Sequence, residues 1–230
     1  MRKYSIYPKY KKPKFLVKKN DLGRVASKNC NQLKTIIQTT GITKPNQAWS
    51  TDFTYLRYKT AFLYLATVID TFTREIVGFH ISRNHTTNLT LKALSRAVEN
   101  HGLPSIHHSD QGSEYNSYQY QEYLQKHSII CSMNKKSAPW ENGLQESFYG
   151  KFKFELGNLN YHSTEIEAIE AIYLQLHYYN NKRIHTVIRD IPVRFRKNYY
   201  QQLSNQSILE NSYINSKVQH SYSRRIDKSV

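Results

Sequence analysis

Three β-rich segments follow one another in the first half of the chain, and they constrain the fold more than any other feature. They are Trp49 to Tyr58, Ala61 to Ile69 and Arg74 to Ile81, each with alternating or short apolar runs. The breaks at Lys59-Thr60 and Asp70 to Thr73 are short enough for hairpins. The pattern therefore predicts an antiparallel meander of three strands.

The chain after the meander alternates between helical and extended patterns. The predicted elements are a helix over Thr87 to Asn100, a strand over Ser105 to Ser109, a helix over Tyr118 to His127, a strand over Ile129 to Met133, a polar loop over Asn134 to Ser137, and a helix over Thr164 to Tyr179. Thr164 and Glu167 fit a capping box for the last helix, whose predicted buried stripe is Ile166, Ile169, Tyr173 and Leu176. The order predicts an α/β chain with five strands.

The stretch from Ser137 to Gly157 is predicted to be a helix with a single acid on its polar face. Its apolar stripe is formed by Trp140, Leu144, Phe148 and Phe152. The other face carries Asn142, Glu146, Tyr149 and Lys153, within roughly 60° of one another. A carboxylate and an ammonium group are therefore expected to point the same way, with partners for Glu146 supplied by other elements.

Two other acids occur in or just after predicted strands. Asp52 lies in the first strand, and Asp110 follows the fourth. Fifty-seven residues separate Asp52 from Asp110, and 35 separate Asp110 from Glu146.

Four motifs around these acids resemble the integrase core of bacterial insertion-sequence transposases, the DDE group similar to retroviral integrases. They are WSTDFTYL, VIDTFTREIVGF, HHSDQGSEY and WENGLQESFYGKFKFEL, and the resemblance runs in order from about Asn46 to Tyr200. Together with the order of the predicted elements, it implies an α/β fold of the ribonuclease H-like type, with a mixed five-stranded sheet flanked by helices. It also implies a catalytic triad of Asp52, Asp110 and Glu146. It also implies that these acids bind Mg²⁺ or Mn²⁺, two ions per site, and that Lys153 contacts phosphate.

The chemistry of phosphodiester cleavage is consistent with these residue types. Two hard divalent cations can activate the attacking oxygen and stabilise the departing one. Such cations prefer oxygen ligands, and they also relieve the repulsion among clustered carboxylates. Asp70 is interpreted as a turn acid, Glu114 and Glu141 as supporting groups, and His107 and His108 as packing or hydrogen-bonding residues.

Further DNA contacts are predicted around the site. Lys135, Lys136 and Asn142 lie in or next to the loop before the Glu146 helix. Asn180, Arg183 and His185 follow the pattern that closes the family's core, where they either hold the last helix or touch DNA. A structural role is favoured for this group, with Arg183 kept as a candidate DNA contact.

The net charge of +16 is concentrated at the two ends of the chain. Residues 1–50 carry 12 Lys and Arg against Asp21 alone, and residues 194–230 carry 7 against 2, whereas residues 51–193 carry 14 of each sign. We therefore expect a basic arm at 1–45 that includes a remnant of an upstream DNA-binding segment, a core at 46–200 and a basic polar tail at 201–230. Basic arms of this kind attract a polyanion without sequence preference.

The remaining composition favours a cytoplasmic protein. Cys30 and Cys131 are isolated, which argues against a disulfide framework or a structural zinc site. The longest largely apolar run, Ala61 to Ile69, is too short to span a bilayer, and the first twenty residues lack the apolar core of a signal peptide.

The leading hypothesis is therefore a transposase catalytic subunit that cleaves and joins DNA. It would act as a homo-oligomer on element ends and target DNA, with a companion helix-turn-helix polypeptide supplying recognition. Two alternatives stay open: a purely hydrolytic ribonuclease H-like nuclease, and a catalytically inactive DNA-binding remnant of a decayed element.

Overall fold

A computed structural model describes residues 31–134 and 143–226 of the chain. Within these ranges the helices and strands alternate in the predicted order. In chain order they are α1 Gln32–Thr39, β1 Ala48–Tyr58, β2 Ala61–Asp70, β3 Ile76–Ser82, α2 Thr87–His101, β4 Ile106–Ser109, α3 Tyr118–Lys126, β5 Ile130–Met133, α4 Gly143–Leu156, a 3₁₀ turn at Leu159–Tyr161, α5 Glu165–Asn181 and α6 Pro192–Ile226.

The strands form one mixed sheet in the order β3-β2-β1-β4-β5. The β1–β2 and β2–β3 pairs are antiparallel, as the meander predicts. The β1–β4 and β4–β5 pairs are parallel, and helices connect these strands. The central position of β1 places its residues between an antiparallel and a parallel neighbour, with helices on both faces.

Alternating side chains of β2 are buried in two separate hydrophobic cores, one on each face of the sheet. Leu63, Leu65 and Ile69 pack on one face against apolar residues of α4 and α5. Ala66 and Val68 pack on the other face against α2 and α3. This separation follows from the period of two along a strand, and it places α4 on one defined face of the sheet.

Helix α5 begins as predicted, but its buried face differs from the predicted one. Thr164 and Glu167 form the capping box. The side chains of Ile166 and Tyr173 are 79% and 44% exposed, however. The buried residues are Ala168, Ile172, Leu176 and Tyr179. The rotation of α5 about its axis is set by packing against Phe148 and Phe152 of α4, which local spacing does not reveal.

Helix α1 precedes the first strand, and α6 is a helix that the sequence pattern does not predict. The start of α6 is attached to the core by Arg196, which is 12% exposed and bonds Asp70 and Glu75. Phe195 also packs on Phe72 with 5.4 Å between ring centroids. These contacts join residues more than 100 positions apart, so no local periodicity indicates them. No helix within residues 31–134 and 143–226 is long and apolar enough to cross a membrane.

Candidate active site

Asp52 and Asp110 lie at the same level of two neighbouring parallel strands. In the β1–β4 register Ser50 pairs with His108, and each acid lies two residues beyond that pair. Side chains two positions apart on a strand point to the same side of the sheet. The end of β4 at Ser109 therefore places Asp110 beside Asp52, as the sequence predicts.

The environment of Asp52 opposes its ionisation. Burial raises the pKa of its carboxyl group from 3.8 to about 7, and the carboxylates of Asp110 and Glu146 add to the increase. The Phe53 amide, which donates to Asp52 Oδ1 at 2.8 Å, and the Lys153 ammonium group work in the opposite direction. The carboxyl group of Asp52 therefore interacts electrostatically with both of the other predicted acids and with the predicted phosphate-binding lysine.

Asp110 is held by the turn that follows β4. Burial raises the pKa of its carboxyl group, with a further contribution from Glu114, while the amide of Gly112 donates to Asp110 Oδ1 at 2.8 Å and lowers it. A Cβ atom at Gly112 would lie 2.8 Å from Glu114 Oε2 and 3.0 Å from Asp110 Oδ1. The absence of a side chain at Gly112 therefore lets these two carboxylates lie close to the backbone of the turn.

Glu146 and Lys153 lie on the exposed side of α4, about 20° apart around the helix axis. Lys153 Nζ lies 4.8 Å from the centre of the Tyr55 ring on β1. Burial lowers the pKa of Lys153, and Asp52 partly offsets this. The structure therefore brings Asp52, Asp110, Glu146 and Lys153 to one region.

A buried polar network lies where α4 packs on the sheet, and the sequence pattern does not predict it. Gln145, fully buried, donates to the Ser50 carbonyl at 2.6 Å and accepts from the Thr67 hydroxyl at 3.1 Å. The Tyr149 hydroxyl lies 2.8 Å from Thr67 Oγ1 and donates to the Asp52 carbonyl at 2.7 Å. The network fixes the helix that carries Glu146 against the strand that carries Asp52.

The prediction that Tyr149 lies on the polar face of this helix is therefore wrong. Its side chain is 6% exposed and faces the sheet, because its hydroxyl finds partners on β1 and β2 that satisfy it inside the core. One signal for the network was present in the sequence. Gln145 is flanked at helical spacing by Leu144, Phe148 and Tyr149, so it lies on the inward side of the helix.

Asp70, His107 and His108 have contacts that agree with their predicted roles. Asp70 Oδ1 accepts from the amides of Phe72 and Thr73, both at 2.9 Å, which confirms the turn acid. His107 Nε2 lies 3.1 Å from the Tyr120 hydroxyl. His108 contacts Ser132 and Asn134 through its two ring nitrogens. Burial lowers the pKa of His107 to about 3, as suits a neutral core histidine.

The predicted DNA contacts divide into two groups. Lys135, Lys136 and Asn142 lie outside the described residues, as do Trp140 and Glu141. Arg183 lies beyond the end of α5, where its Nε donates to Glu155 Oε1 at 2.8 Å and it faces a different side of α4 from Glu146. Asn180 has a structural role, since its side chain bonds both the amide and the carbonyl of Ile76.

The donor set suits a hard divalent cation. The three acids offer only carboxylate oxygens, the ligands that Mg²⁺ and Mn²⁺ prefer. Burial is the main cause of the raised pKa of Asp52, with smaller contributions from Asp110 and Glu146, and a bound cation would favour the ionised carboxylate against all three. Within residues 31–134 and 143–226, no three His, Cys, Asp or Glu side chains are gathered closely enough to hold an ion in this conformation.

The fold and the acids together define the ribonuclease H-like integrase class. The "integrase catalytic core domain" of the HTLV-2 integrase, solved in complex with magnesium, superposes with a TM-score of 0.57 at 22% identity. The match covers 66% of this chain and 97% of that one. This likeness concerns the fold.

Family models and sequence relatives carry the assignment further. Two models, both described as "Integrase core domain", match residues 42–139 and 127–192. An uncharacterized transposase-like protein of Haemophilus influenzae is 32% identical over 160 residues, which cover 67% of this chain and 72% of that protein. The transposase for insertion sequence element IS904 of Lactococcus lactis is 40% identical over 147 residues, or 63% of this chain and 58% of that protein.

The chain therefore belongs to the integrase core family of insertion-sequence transposases. It spans 57–62% of the length of the first three curated relatives that it matches.

Proposed function

We propose that this chain is the catalytic core of an insertion-sequence transposase that cleaves and joins DNA strands, with Asp52, Asp110 and Glu146 as its catalytic acids. The observation that carries the proposal is the electrostatic convergence on Asp52. Carboxylates from the end of β4 and from α4, and an ammonium group from α4, all act on this one residue of β1. Family membership supports the same assignment.

The three acids would hold Mg²⁺ or Mn²⁺, and we propose two ions per site. The ions, when bound, would activate the attacking oxygen and stabilise the departing one. Asp52 must be ionised to serve as a ligand, so its pKa of about 7 makes cation binding and loss of its proton interdependent. Lys153 would neutralise a phosphate oxygen next to these acids.

Two successive in-line displacements at phosphorus account for the reaction. In the first, the oxygen of water forms a bond to phosphorus and the 3′-oxygen of the element end leaves as a free hydroxyl. In the second, that hydroxyl attacks a target phosphodiester, one P–O bond forms, one breaks, and the target's 3′-oxygen leaves with a proton. No oxidant or high-energy co-reactant is needed, because the number of phosphodiester bonds is conserved in the joining step.

The remaining parts of the chain are assigned to DNA capture and assembly. Residues 1–45 and 201–230 are proposed as basic extensions of a core at 46–200, because the excess positive charge lies there. Lys135, Lys136, Asn142 and Arg183 are proposed as additional DNA contacts. We also propose that the chain works as a homo-oligomer on paired ends, and that a helix-turn-helix companion provides recognition of the terminal repeat.

The experiment is a strand-transfer assay with labelled DNA carrying the element's own ends, in Mg²⁺ or Mn²⁺. The wild-type chain, with the companion polypeptide if needed, is expected to yield nicked and joined products, and Glu146→Gln is expected to yield neither. Glu170→Gln, an exposed acid on α5, is the matched control and should behave as wild type. Nicked DNA without joined product would indicate a purely hydrolytic nuclease. DNA binding without either product, with the companion present, would indicate an inactive remnant.

A further inference from the structure

A small cationic cleft lies on the side of α4 that faces away from the acids. It has a volume of about 200 Å³ and lies between α4 and the segment that follows α5. Its charged lining residues are Arg74, Lys151, Glu155 and Arg183, with His185 beside them. Lys151 is about 140° around the helix axis from Glu146. The α4–α5 cleft, as we call it, is therefore separate from the candidate active site.

Arg74 is placed in the cleft by a fixed backbone. Its amide donates to the Asp70 carbonyl at 2.9 Å, and its carbonyl accepts from the Tyr179 hydroxyl at 3.0 Å. Its Nε atom is buried and has no hydrogen-bond partner among the residues that the structure describes. A buried donor without a partner is destabilising, so this guanidinium group would be stabilised by an acceptor entering the cleft.

The other side chains add positive charge and donors. Arg183 donates from Nε to Glu155, and its guanidinium group has further N–H donors. Lys151 is exposed on α4. His185 Nδ1 accepts from the Val187 amide at 3.2 Å, which leaves Nε2 to carry the proton of the neutral ring. The cleft thus combines three permanent cations with a neutral donor.

Glu155, the acid among the described lining residues, already has hydrogen-bond partners at both carboxylate oxygens. Glu155 Oε1 accepts from Arg183, and Oε2 accepts from the Gln175 side chain at 2.9 Å. The positive potential is evident at His185, whose pKa is lowered to about 4 by burial and by Arg74, Arg183 and Lys151. Among the described residues that line the cleft, Arg74 and Lys151 therefore have no carboxylate partner.

We propose that the α4–α5 cleft is a phosphate-binding site, and that during transposition it holds a backbone phosphate of DNA running along the side of α4 opposite Glu146. A volume of about 200 Å³ accommodates a phosphodiester but is below the range of drug-sized ligand pockets, roughly 300–1,000 Å³. The DNA part of this proposal rests on the proposed function. It gives α4 phosphate contacts on two sides, through Lys153 next to the acids and Lys151 in the cleft.

The test compares Lys151→Gln with Lys92→Gln, which makes the same charge change at an exposed lysine of α2, on the opposite face of the sheet. Binding of labelled duplex DNA is measured by anisotropy between about 50 and 200 mM salt. Loss of one phosphate contact should lower the slope of log K against log salt by about 0.9. We expect this loss in Lys151→Gln and a smaller change in Lys92→Gln.

A second arm uses inorganic phosphate alone and distinguishes free phosphate from DNA. Phosphate should raise the Tm of the wild-type chain above that in chloride of equal ionic strength, and Lys151→Gln should lose this increase. Arg74→Gln, checked for folding by circular dichroism, should lose it as well.

The outcomes separate the claims. Equal DNA slopes in Lys151→Gln and Lys92→Gln, together with a phosphate effect that both Lys151→Gln and Arg74→Gln lose, would leave a free-phosphate site and overturn the DNA part of the proposal. Equal DNA slopes in the two lysine variants, with no increase of Tm in phosphate that depends on Lys151, would overturn the whole proposal of a phosphate-binding site in the cleft. A wild-type chain that binds phosphate in the cleft but no DNA would contradict the proposed function while supporting the cleft.

Discussion

The Tyr149 hydroxyl donates a hydrogen bond of 2.7 Å to the main-chain carbonyl of Asp52. It also lies 2.8 Å from Thr67 Oγ1, on the strand paired with Asp52. One phenol group therefore links α4, β1 and β2 directly behind the acids. The helix that carries Glu146 is positioned by this link as well as by its apolar contacts.

Removing the phenol oxygen tests that link. Tyr149→Phe leaves the ring in place but deprives the buried Asp52 carbonyl and Thr67 hydroxyl of a partner, so we expect a loss of about 1–3 kcal/mol in the free energy of unfolding. Urea denaturation measures it. Tyr161→Phe, at an 86% exposed position, is the control and should change stability little. Equal stability of the two variants would show that the Tyr149 hydroxyl does not fix α4.

Gly112 offers a test of how closely the acids are packed. A Cβ in Gly112→Ala would lie 2.8 Å from Glu114 Oε2 and 3.0 Å from Asp110 Oδ1, so the Glu114 carboxylate must move and the Asp110 carboxylate must shift slightly. Because Asp110 is a proposed metal ligand, joining activity should fall about tenfold, equivalent to roughly 1.4 kcal/mol. Gly150→Ala on α4 is the matched control. Nothing lies within 4 Å of its added Cβ, and the helix should gain about 0.5–1 kcal/mol. Full activity in Gly112→Ala would contradict the assigned geometry of the turn.

The raised pKa of Asp52 predicts a pH-dependent stability in the absence of metal. Between about pH 4 and pH 7 the folded state holds a proton that the unfolded state releases, so wild-type stability should decline as pH rises through this window. The Asp52→Asn substitution removes the titrating carboxyl group and therefore this dependence of stability on pH. The variant should therefore be more stable than wild type at about pH 8, by at most about 4 kcal/mol, and the difference should vanish near pH 4.

Urea titrations at several pH values, in chelator, measure this difference. Glu170→Gln is the matched carboxylate control and should show no such trend. A constant difference between Asp52→Asn and wild type across the window would mean that the Asp52 carboxyl titrates normally. Adding Mg²⁺ at high pH should recover the wild-type stability and leave Asp52→Asn unchanged.

The attachment of α6 is predicted to depend on Arg196. Asp70 is fully buried and Glu75 is 5% exposed, so Arg196→Met would leave two buried carboxylates without their cation and cost about 3–5 kcal/mol. Arg194→Met, on the same helix, breaks an ion pair whose arginine is 57% exposed and should cost less than about 1 kcal/mol. Similar losses in the two variants, measured by urea denaturation, would contradict the anchoring role.

Local patterns predicted the order of the elements well. The alternation in β1 and β2, the capping box of α5 and the position of Asp110 after β4 are all properties of short windows, and each appears in the structure close to its predicted place. The convergence of Asp52, Asp110 and Glu146 needed the resemblance as well, because sequence spacing alone does not define which strands are neighbours.

Long-range contacts account for what the sequence did not reveal. Helical spacing places Tyr149 on the polar face of α4, and its burial is explained only by its hydrogen-bond partners on β1 and β2. The rotation of α5 depends on packing against α4, and α6 depends on buried ion pairs with Asp70 and Glu75. The α4–α5 cleft joins Arg74, Lys151 and Arg183, three cations from distant parts of the chain, so no window of sequence contains it.

The most direct measurement of the central claim, that Asp52 is a metal ligand in DNA strand transfer, is joined product from Asp52→Cys in Mg²⁺ and in Mn²⁺. A thiolate is a poor ligand for Mg²⁺ and a better one for softer cations. The account predicts no joined product from Asp52→Cys in Mg²⁺ and partial recovery in Mn²⁺, while wild type is active in both and inactive in chelator. Wild-type yields from Asp52→Cys in Mg²⁺, or joined product from wild type in chelator, would contradict it.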